Sequence, residues 1–196
     1  MDIDIDIDQL VDRYVAVWNE SDPIARRRAI SELWHPDGVE TTESARYHGH
    51  DALETRITEA HTEEFLRRLG EGAPDRIAEL FAERVDWQLD WPDSGHPAVP
   101  WIRPRFTRAD VADHFREIAA FHVPEKSAGT VSRVLIDGTE AVLLGDIRQT
   151  VKATGKPYTA PCALHLTVQD GLITRYAVYE DSLTVTEALA NQPVHR

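Results

Sequence analysis

Two ionisable residues stand where they could move a proton in an apolar setting: Asp181, at the end of the last strand-like run, and His122, at the end of an amphipathic helical stretch. The case for Asp181 runs through register. Asp170-Gly171 between two alternating runs is a hairpin signal. Pairing Gln169 with Leu172 is expected to place Val168 opposite Ile173, Leu164 opposite Ala177 and Cys162 opposite Tyr179, with Asp181 on the same face. That face is the more apolar one, so it is expected to meet the helices. A carboxylate at its end would have its pKa raised by desolvation, which suits a general base. The competing use of Asp181 is to cap the helix that follows it, and the sequence weighs the two equally. Val111, Phe115, Ile118 and His122 lie at i, i+4, i+7 and i+11, so His122 extends a buried stripe. Beside a carboxylate such a His is acid–base equipment, although at a helix end it serves equally as a cap or a core residue. Trp87, Leu89 and Trp91 alternate on one face of a strand, as core or as walls for a flat ligand; Asp86 and Asp90 point the other way.

Other groupings carry less. His48-Gly49-His50 has no third ligand at metal-site spacing and reads as the entry to a helix, and His35 is a turn residue. Gly70-Glu71-Gly72 follows no strand, so it is not a phosphate loop. Cys162 has no adjacent base to make it a thiolate and is expected to pack as a small hydrophobe. No metal and no cofactor are expected.

The elements that must position these residues come in two blocks. Helical spacing covers 6–18, Ala25–Leu33 and Asp51–Leu69, with a turn at Trp34–Gly38 and a short strand at Val39–Thr42. The Asp/Ile alternation over 2–8 mimics a strand, but Ile3, Ile7, Leu10, Val11, Tyr14, Val17 and Trp18 continue at helical spacing. The order then returns: a short helix at Pro74–Phe81 with Pro in first position, a strand at Val85–Trp91, a Pro-rich loop over 92–106, and a helix from Thr107, where Asp110 completes a capping box. Residues 10–62 thus resemble half of a unit whose complete copy starts near 63, which divides the chain into a mostly helical partial repeat, 1–62, and a complete domain, 63–196. Four strands follow, at Gly129–Ile136, Ala141–Ala153, Pro161–Val168 and Leu172–Asp181, then a last helix at Thr184–Ala190. Helices before an antiparallel meander give an α+β fold with helices on one face of a curved antiparallel sheet; that the sheet wraps around helices in a cone with an apolar pocket is what the family resemblance below implies.

Bulk properties bound the function. The chain has 196 residues, 34 acids against 21 bases and a net charge of -13, so it has no basic surplus with which to displace counterions from nucleic acid. No apolar run approaches the ~20 residues a membrane span needs. A single cysteine excludes an intrachain disulfide, and the acidic start is unlike a signal peptide, so a cytoplasmic protein is expected.

The run Thr154-Gly155-Lys156-Pro157-Tyr158, continued by Ala163–Thr174 and closing on Tyr179-Glu180-Asp181, resembles the C-terminal signature of the SnoaL-like branch of the nuclear-transport-factor-2-like (NTF2-like) superfamily. Asp75–Phe81 resembles that family's second helix, and Tyr14–Asn19 its first. The resemblance spans 63–190 and implies the cone fold, whereas the superfold hosts isomerases, epoxide hydrolases, cyclases, dehydratases and non-catalytic modules. By resemblance to limonene-type epoxide hydrolases, Asp181 takes the position of the base. Their Arg and Asp fall near Gly145 and Ile147, and their water-holding Tyr and Asn at Trp87 and Leu89; Asp146 and Arg148 would restore the charged pair only through a one-residue bulge. The Tyr and Asp of ketosteroid isomerases fall at Phe65 and Leu89, which excludes their route.

The function expected is that of a small-molecule enzyme of secondary-metabolism type, a cyclase, isomerase or epoxide-hydrolase-like protein acting by acid–base chemistry on an apolar cyclic or polyketide-like substrate. Asp181 would be the base and His122 its partner. Tyr179, Trp87, Trp91, Leu89, Phe115, Ile118, Leu164 and Cys162 would line the site. The alternative is a non-catalytic ligand-binding or dimerisation module. A homodimer is expected through the outer sheet face, where His165, Thr167, Thr174 and Tyr176 would lie.

Overall fold

A computed structural model describes residues 7–20, 22–43, 45–92 and 95–190, so residues 2–6 of the Asp/Ile alternation lie outside it. Helix α1 (Ile7–Asn19) is followed by α2 (Pro23–Leu33), which starts where the Asp22 carboxylate accepts the backbone N–H groups of Ile24 and Ala25 at 2.8 and 3.3 Å. Strands β1 (Val39–Thr41) and β2 (Arg46–His48) form a small hairpin; three residues are too few for β2 to show any periodicity in the sequence. Helix α3 (Gly49–Glu71) runs unbroken through residues 62 and 63 and ends at Gly72, whose φ of 66° closes the helix as few other residues could. Val17, Ile30, Leu53 and Ile57 make a separate core for this first block.

Helix α4 (Pro74–Ala78) is shorter than its sequence pattern, and β3 (Phe81–Leu89) starts earlier than expected. The reason is tertiary: Leu80 gives its carbonyl to the Ile173 N–H at 2.8 Å, which draws the chain into the sheet, and Phe81 is buried against Phe65 and Tyr176. Helix α5 (Arg108–Phe121) opens on the expected capping box between Thr107 and Asp110. Then come β4 (Ala128–Asp137), β5 (Glu140–Thr150), β6 (Pro157–Gln169), β7 (Leu172–Glu180) and α6 (Ser182–Leu189). The sheet runs β3-β7-β6-β5-β4, antiparallel except for β3 beside β7. This is the expected α+β class, with helices held by a curved sheet.

Bulges bend the sheet. On β4 the register slips between Val131 and Arg133, and the carbonyl of Thr130 comes so close to Gly145 that any Cβ there would overlap it. On β7 the extra residue is Thr174, since Val168 faces Ile173 while Thr167 faces Arg175. The main core lies between α3, α5 and the concave face, around Phe65, Phe81, Phe115, Leu164, Leu166, Ile173 and Tyr176. A second cluster joins Val99, Trp101 and Ile102 of the long loop to Ala160 of β6 and Val185 of α6, and closes the wide end. The first block sits on the opposite end, over two hairpin tips: Thr58 donates to the Gly138 carbonyl at 2.8 Å, and Gly171 lies against His61 and the Trp18 carbonyl. No described helix is long and apolar enough to cross a membrane.

Candidate functional site

The bulge at Thr174 decides which acid enters the cone. Beyond it every β7 residue is displaced by one against β6, so Leu166 faces Tyr176, Leu164 faces Val178 and Cys162 faces Glu180. The expected pairs of Leu164 with Ala177 and Cys162 with Tyr179 do not form. With a period of two, Tyr176, Val178 and Glu180 point inward and Ala177 and Tyr179 outward. Tyr176 and Val178 are accordingly in the main core, whereas Tyr179 is 45% exposed.

Glu180 therefore holds the position the sequence assigns to Asp181. Its carboxylate accepts the indole N–H of Trp91 at 2.9 Å, from a residue 89 positions earlier in the chain. No Lys, Arg or His is among its ion-pair partners within the described residues. Burial pushes its carboxyl above the usual carboxylate range; the Trp91 bond opposes the shift and the neighbouring Asp181 charge adds to it. Three more groups feel its charge. Burial first, then Glu180, raises the hydroxyl pKa of Tyr158 and of Tyr176, and the same two causes with Asp146 raise the Cys162 thiol. A half-buried, desolvated carboxyl with two phenols, a thiol and an indole N–H around it is a site that can exchange one proton and hydrogen-bond one oxygen.

Asp181 is displaced to the surface side, where it caps α6. Its carboxylate accepts the Thr184 backbone N–H at 3.1 Å and the Thr184 hydroxyl at 2.7 Å, and the hydroxyl bond first holds its pKa below the ordinary value. The desolvated setting expected for it is thus corrected. His122 is buried as expected, but its Nδ1 faces the Ile118 carbonyl at 2.8 Å and its Nε2 the Tyr158 hydroxyl at 3.1 Å, which also meets the Gln149 side chain. Burial, the largest cause, lowers its pKa, and Glu180 is not among its hydrogen-bond partners within the described residues. Asp181 is not among its partners.

The remaining residues divide by depth. Trp87 stacks on Tyr176 with centroids 4.4 Å apart and planes 20° from parallel, while Phe115 and Leu164 belong to the main core and Leu89 packs against both clusters. Ile118 flanks the wide end, and Cys162 is half-buried beside Glu180. Trp91 lies past the end of β3, in the loop. Asp146 and Arg148 fall on the outer face, because Gly145 and Ile147 pair with Cys162 and Ala160 without a bulge on β5. Tyr176 is likewise absent from the outer face, where Glu140 meets His165 at 2.5 Å and Thr167 at 2.9 Å. His50 contacts the Trp34 carbonyl at 3.0 Å, as part of the α3 entry.

Sequence reading passed over His114 and Arg105. His114 is buried edge-on against Trp87, centroids 4.7 Å apart, and burial takes its pKa down to about 3. Arg105, fully buried, donates to Glu117 at 2.6 Å and to the Asp110 carbonyl at 2.7 Å. Only the buried stripe of α5 pointed to His114, and nothing local pointed to Arg105. The deep cone is thus filled with aromatic rings. Surface concavities of about 560 and 310 Å³ lie away from it, by Ile24, Arg27 and Arg28 and by Arg84, Val85 and Phe106. What is open is the concave side of β4: Val134 pairs with buried Leu143 yet remains exposed, as does Val131.

Comparison with known proteins follows the same frame. A family model described as a SnoaL-like domain matches residues 62–176, a stretch that ends just before Glu180. No curated protein matches the chain. A solved NTF2-like protein from Burkholderia xenovorans is 17% identical with a TM-score of 0.55, covering 68% of this chain and 95% of its own. A provisionally named isomerase from Rhodopseudomonas palustris is 21% identical with a TM-score of 0.57, covering 67% and 97%. TsrD from Streptomyces laurentii is 17% identical with a TM-score of 0.53, covering 69% and 96%. These likenesses establish the NTF2-like cone fold.

Proposed function

For a chain that belongs to the SnoaL-like family, we propose an enzyme that moves a proton on a small apolar cyclic or polyketide-like molecule, in the manner of an isomerase or cyclase, with Glu180 as the acid–base group. The observation that carries the reading is a desolvated carboxyl without a cationic partner on the inner face of the cone, positioned by the Trp91 indole. A raised pKa brings a carboxyl closer to the working pH, where it both takes and returns a proton efficiently. The Tyr158 and Tyr176 hydroxyls are the donors for a substrate oxygen, with Leu89, Ile118 and Leu164 as the apolar wall. An epoxide-hydrolase route has less support, because its charged pair lies on the outer face. The protein is read as a cytoplasmic homodimer that binds neither nucleic acid nor membrane, and asks no metal or cofactor for this chemistry.

The test uses a probe reaction, conversion of 3-cyclohexen-1-one into its conjugated isomer, followed by ultraviolet absorbance. Isomerisation above buffer that falls about 100-fold in Glu180→Gln and persists in Asp181→Asn supports the proposal. A Glu180→Gln protein as active as wild type would sink it. The second reading, a non-catalytic binding module, draws on the Trp87–Tyr176 stack that fills the deep cone. It predicts quenching of tryptophan fluorescence by 2-naphthol with no isomerisation at all.

A further inference from the structure

Both ring nitrogens of His122 are held, and the two contacts together decide where its proton sits. The residue is 1% exposed and closes α5, whose last turn sets its Nδ1 2.8 Å from the Ile118 carbonyl oxygen. A carbonyl oxygen has no proton to give, so Nδ1 carries the hydrogen of that bond. The opposite tautomer would press a lone pair against the carbonyl. Burial, the largest cause, holds the ring's pKa below the ordinary 6.5; the Ile118 carbonyl opposes the shift and the Lys152 ammonium adds to it. The Trp101 ring, edge-on at 5.2 Å, brings no charge. At neutral pH Nε2 is therefore a bare lone pair, and the group it faces, at 3.1 Å, is the Tyr158 hydroxyl.

The phenol has one proton, and His122 and the Gln149 side chain both stand within reach of it. Burial first, and the Glu180 charge after it, keep that proton on the phenol. Gln149 can turn its amide so that an N–H donates to the phenol oxygen. His122 has no such freedom, because turning its ring would put carbon at both contacts. With the Gln149 carbonyl toward Tyr158, the phenol oxygen and Nε2 would meet as two acceptors. One arrangement satisfies every group: the Gln149 amide donates to the Tyr158 oxygen, the Tyr158 hydroxyl to His122 Nε2, and His122 Nδ1–H to the Ile118 carbonyl.

We infer that His122 is a positioning residue that holds the Tyr158 proton, so that Tyr158 offers a ligand an acceptor and the site takes an apolar ring bearing a hydroxyl. With its proton on His122 and one lone pair on the Gln149 amide, the phenol oxygen keeps a single lone pair for a donor. Tyr158 is half-buried on the inner side of β6, two steps of the strand period from Cys162, the residue opposite Glu180. A ring without a hydroxyl would cover that lone pair and leave it unpaired. Tyr158 donates to a substrate oxygen once His122 has taken a second proton on Nε2 and turned its side of the bond from acceptor to donor. The assignment takes the place of the ligand from the reading above, and nothing from the chemistry at Glu180.

Nitrogen-15 shifts of the His122 ring in the full chain read the tautomer. Expected near neutral pH are a protonated Nδ1 and an unprotonated Nε2, with the Nε2 signal moving in Tyr158→Phe while Nδ1 stays. Two probes, followed by quenching of tryptophan fluorescence, read the consequence. Wild type should bind 2-naphthol about tenfold more tightly than 2-methoxynaphthalene, which has no donor, and Tyr158→Phe should bind the two alike. His122→Leu, with unchanged circular dichroism, should lose the preference with Tyr158 still in place, because the phenol proton is then free for the methoxy oxygen. A protonated Nε2 overturns the inference. So does a wild type that does not prefer 2-naphthol, or a preference that survives either substitution. A wild type that passes these tests but leaves 3-cyclohexen-1-one unchanged sinks the chemistry at Glu180 and leaves this recognition standing.

Discussion

Cys162 stands directly opposite Glu180 across the β6–β7 pair, and one extra residue, Thr174, puts it there. Without that bulge the same strand would turn Ala177, Tyr179 and Asp181 inward and leave Glu180 in water. The identity of the site acid is thus a matter of register, and so is the inward turn of Tyr176, which carries the stack with Trp87. The same shift frees Asp181 to end the strand and begin α6.

The carboxyl of Glu180 should be visible in the pH dependence of stability. Its folded pKa lies above the ordinary 4.5, so the folded state holds the proton more tightly than the unfolded chain does. The stability this contributes is complete below the unfolded value and is lost as pH rises through the folded one. Glu180→Gln removes that loss: scanning calorimetry should find the variant melting above wild type at pH 8, with the gap closing toward pH 4.

Asp181 has the opposite sign and a structural job. Its folded pKa is depressed by Thr184, so its contribution is present above the ordinary value of 3.8 and fades as pH falls through the folded one. Asp181→Ala should lower Tm by a few degrees at pH 7, Asp181→Ser should recover most of it through the serine hydroxyl, and neither should change 2-naphthol binding.

His114 stays neutral under acid conditions. With a folded pKa near 3 against an ordinary 6.5, the unfolded chain takes up a proton that the folded one refuses. Stability is complete above the unfolded value and should fall by up to roughly 1.4 kcal/mol per pH unit below it from this group alone, as urea unfolding at several pH values would read. Nitrogen-15 shifts of the His114 ring should not move between pH 8 and pH 4.5.

Gly145 has no tolerated replacement. An alanine Cβ would collide with the Thr130 carbonyl oxygen, a backbone atom held by the β4 bulge. Gly145→Ala should cost roughly 1–3 kcal/mol in denaturant unfolding, or register as loss of the β4–β5 pairing in hydrogen exchange. An unchanged midpoint would mean that the bulge relaxes.

Much of the architecture was legible because local chemistry wrote it. Thr107 with Asp110, and Asp170-Gly171, act over a few residues, and each sits in the cap or turn its type favours. The shortening of α4 was not legible, since the pull on Leu80 comes from Ile173, far along the chain. Nor was β2, too brief to show a period. Trp87, Leu89, Phe115 and Leu164 were found as apolar side chains at the right spacing, yet their packing into a filled cone depends on Tyr176, Phe65 and Phe81 converging from three elements.

The residue types and periods alone determined an α+β fold, helices first and a meander after, with an acid at the end of the last strand; the SnoaL-like cone was what the family resemblance implied. Tertiary structure decided which acid. Thr174 is an ordinary strand residue with nothing in its type to announce a bulge, and its extra place shows only in the pairing of β7 with β6. A period of two turns that one-residue slip into a change of face, so Glu180 enters the core side with Trp91 on its oxygen while Asp181 caps a helix.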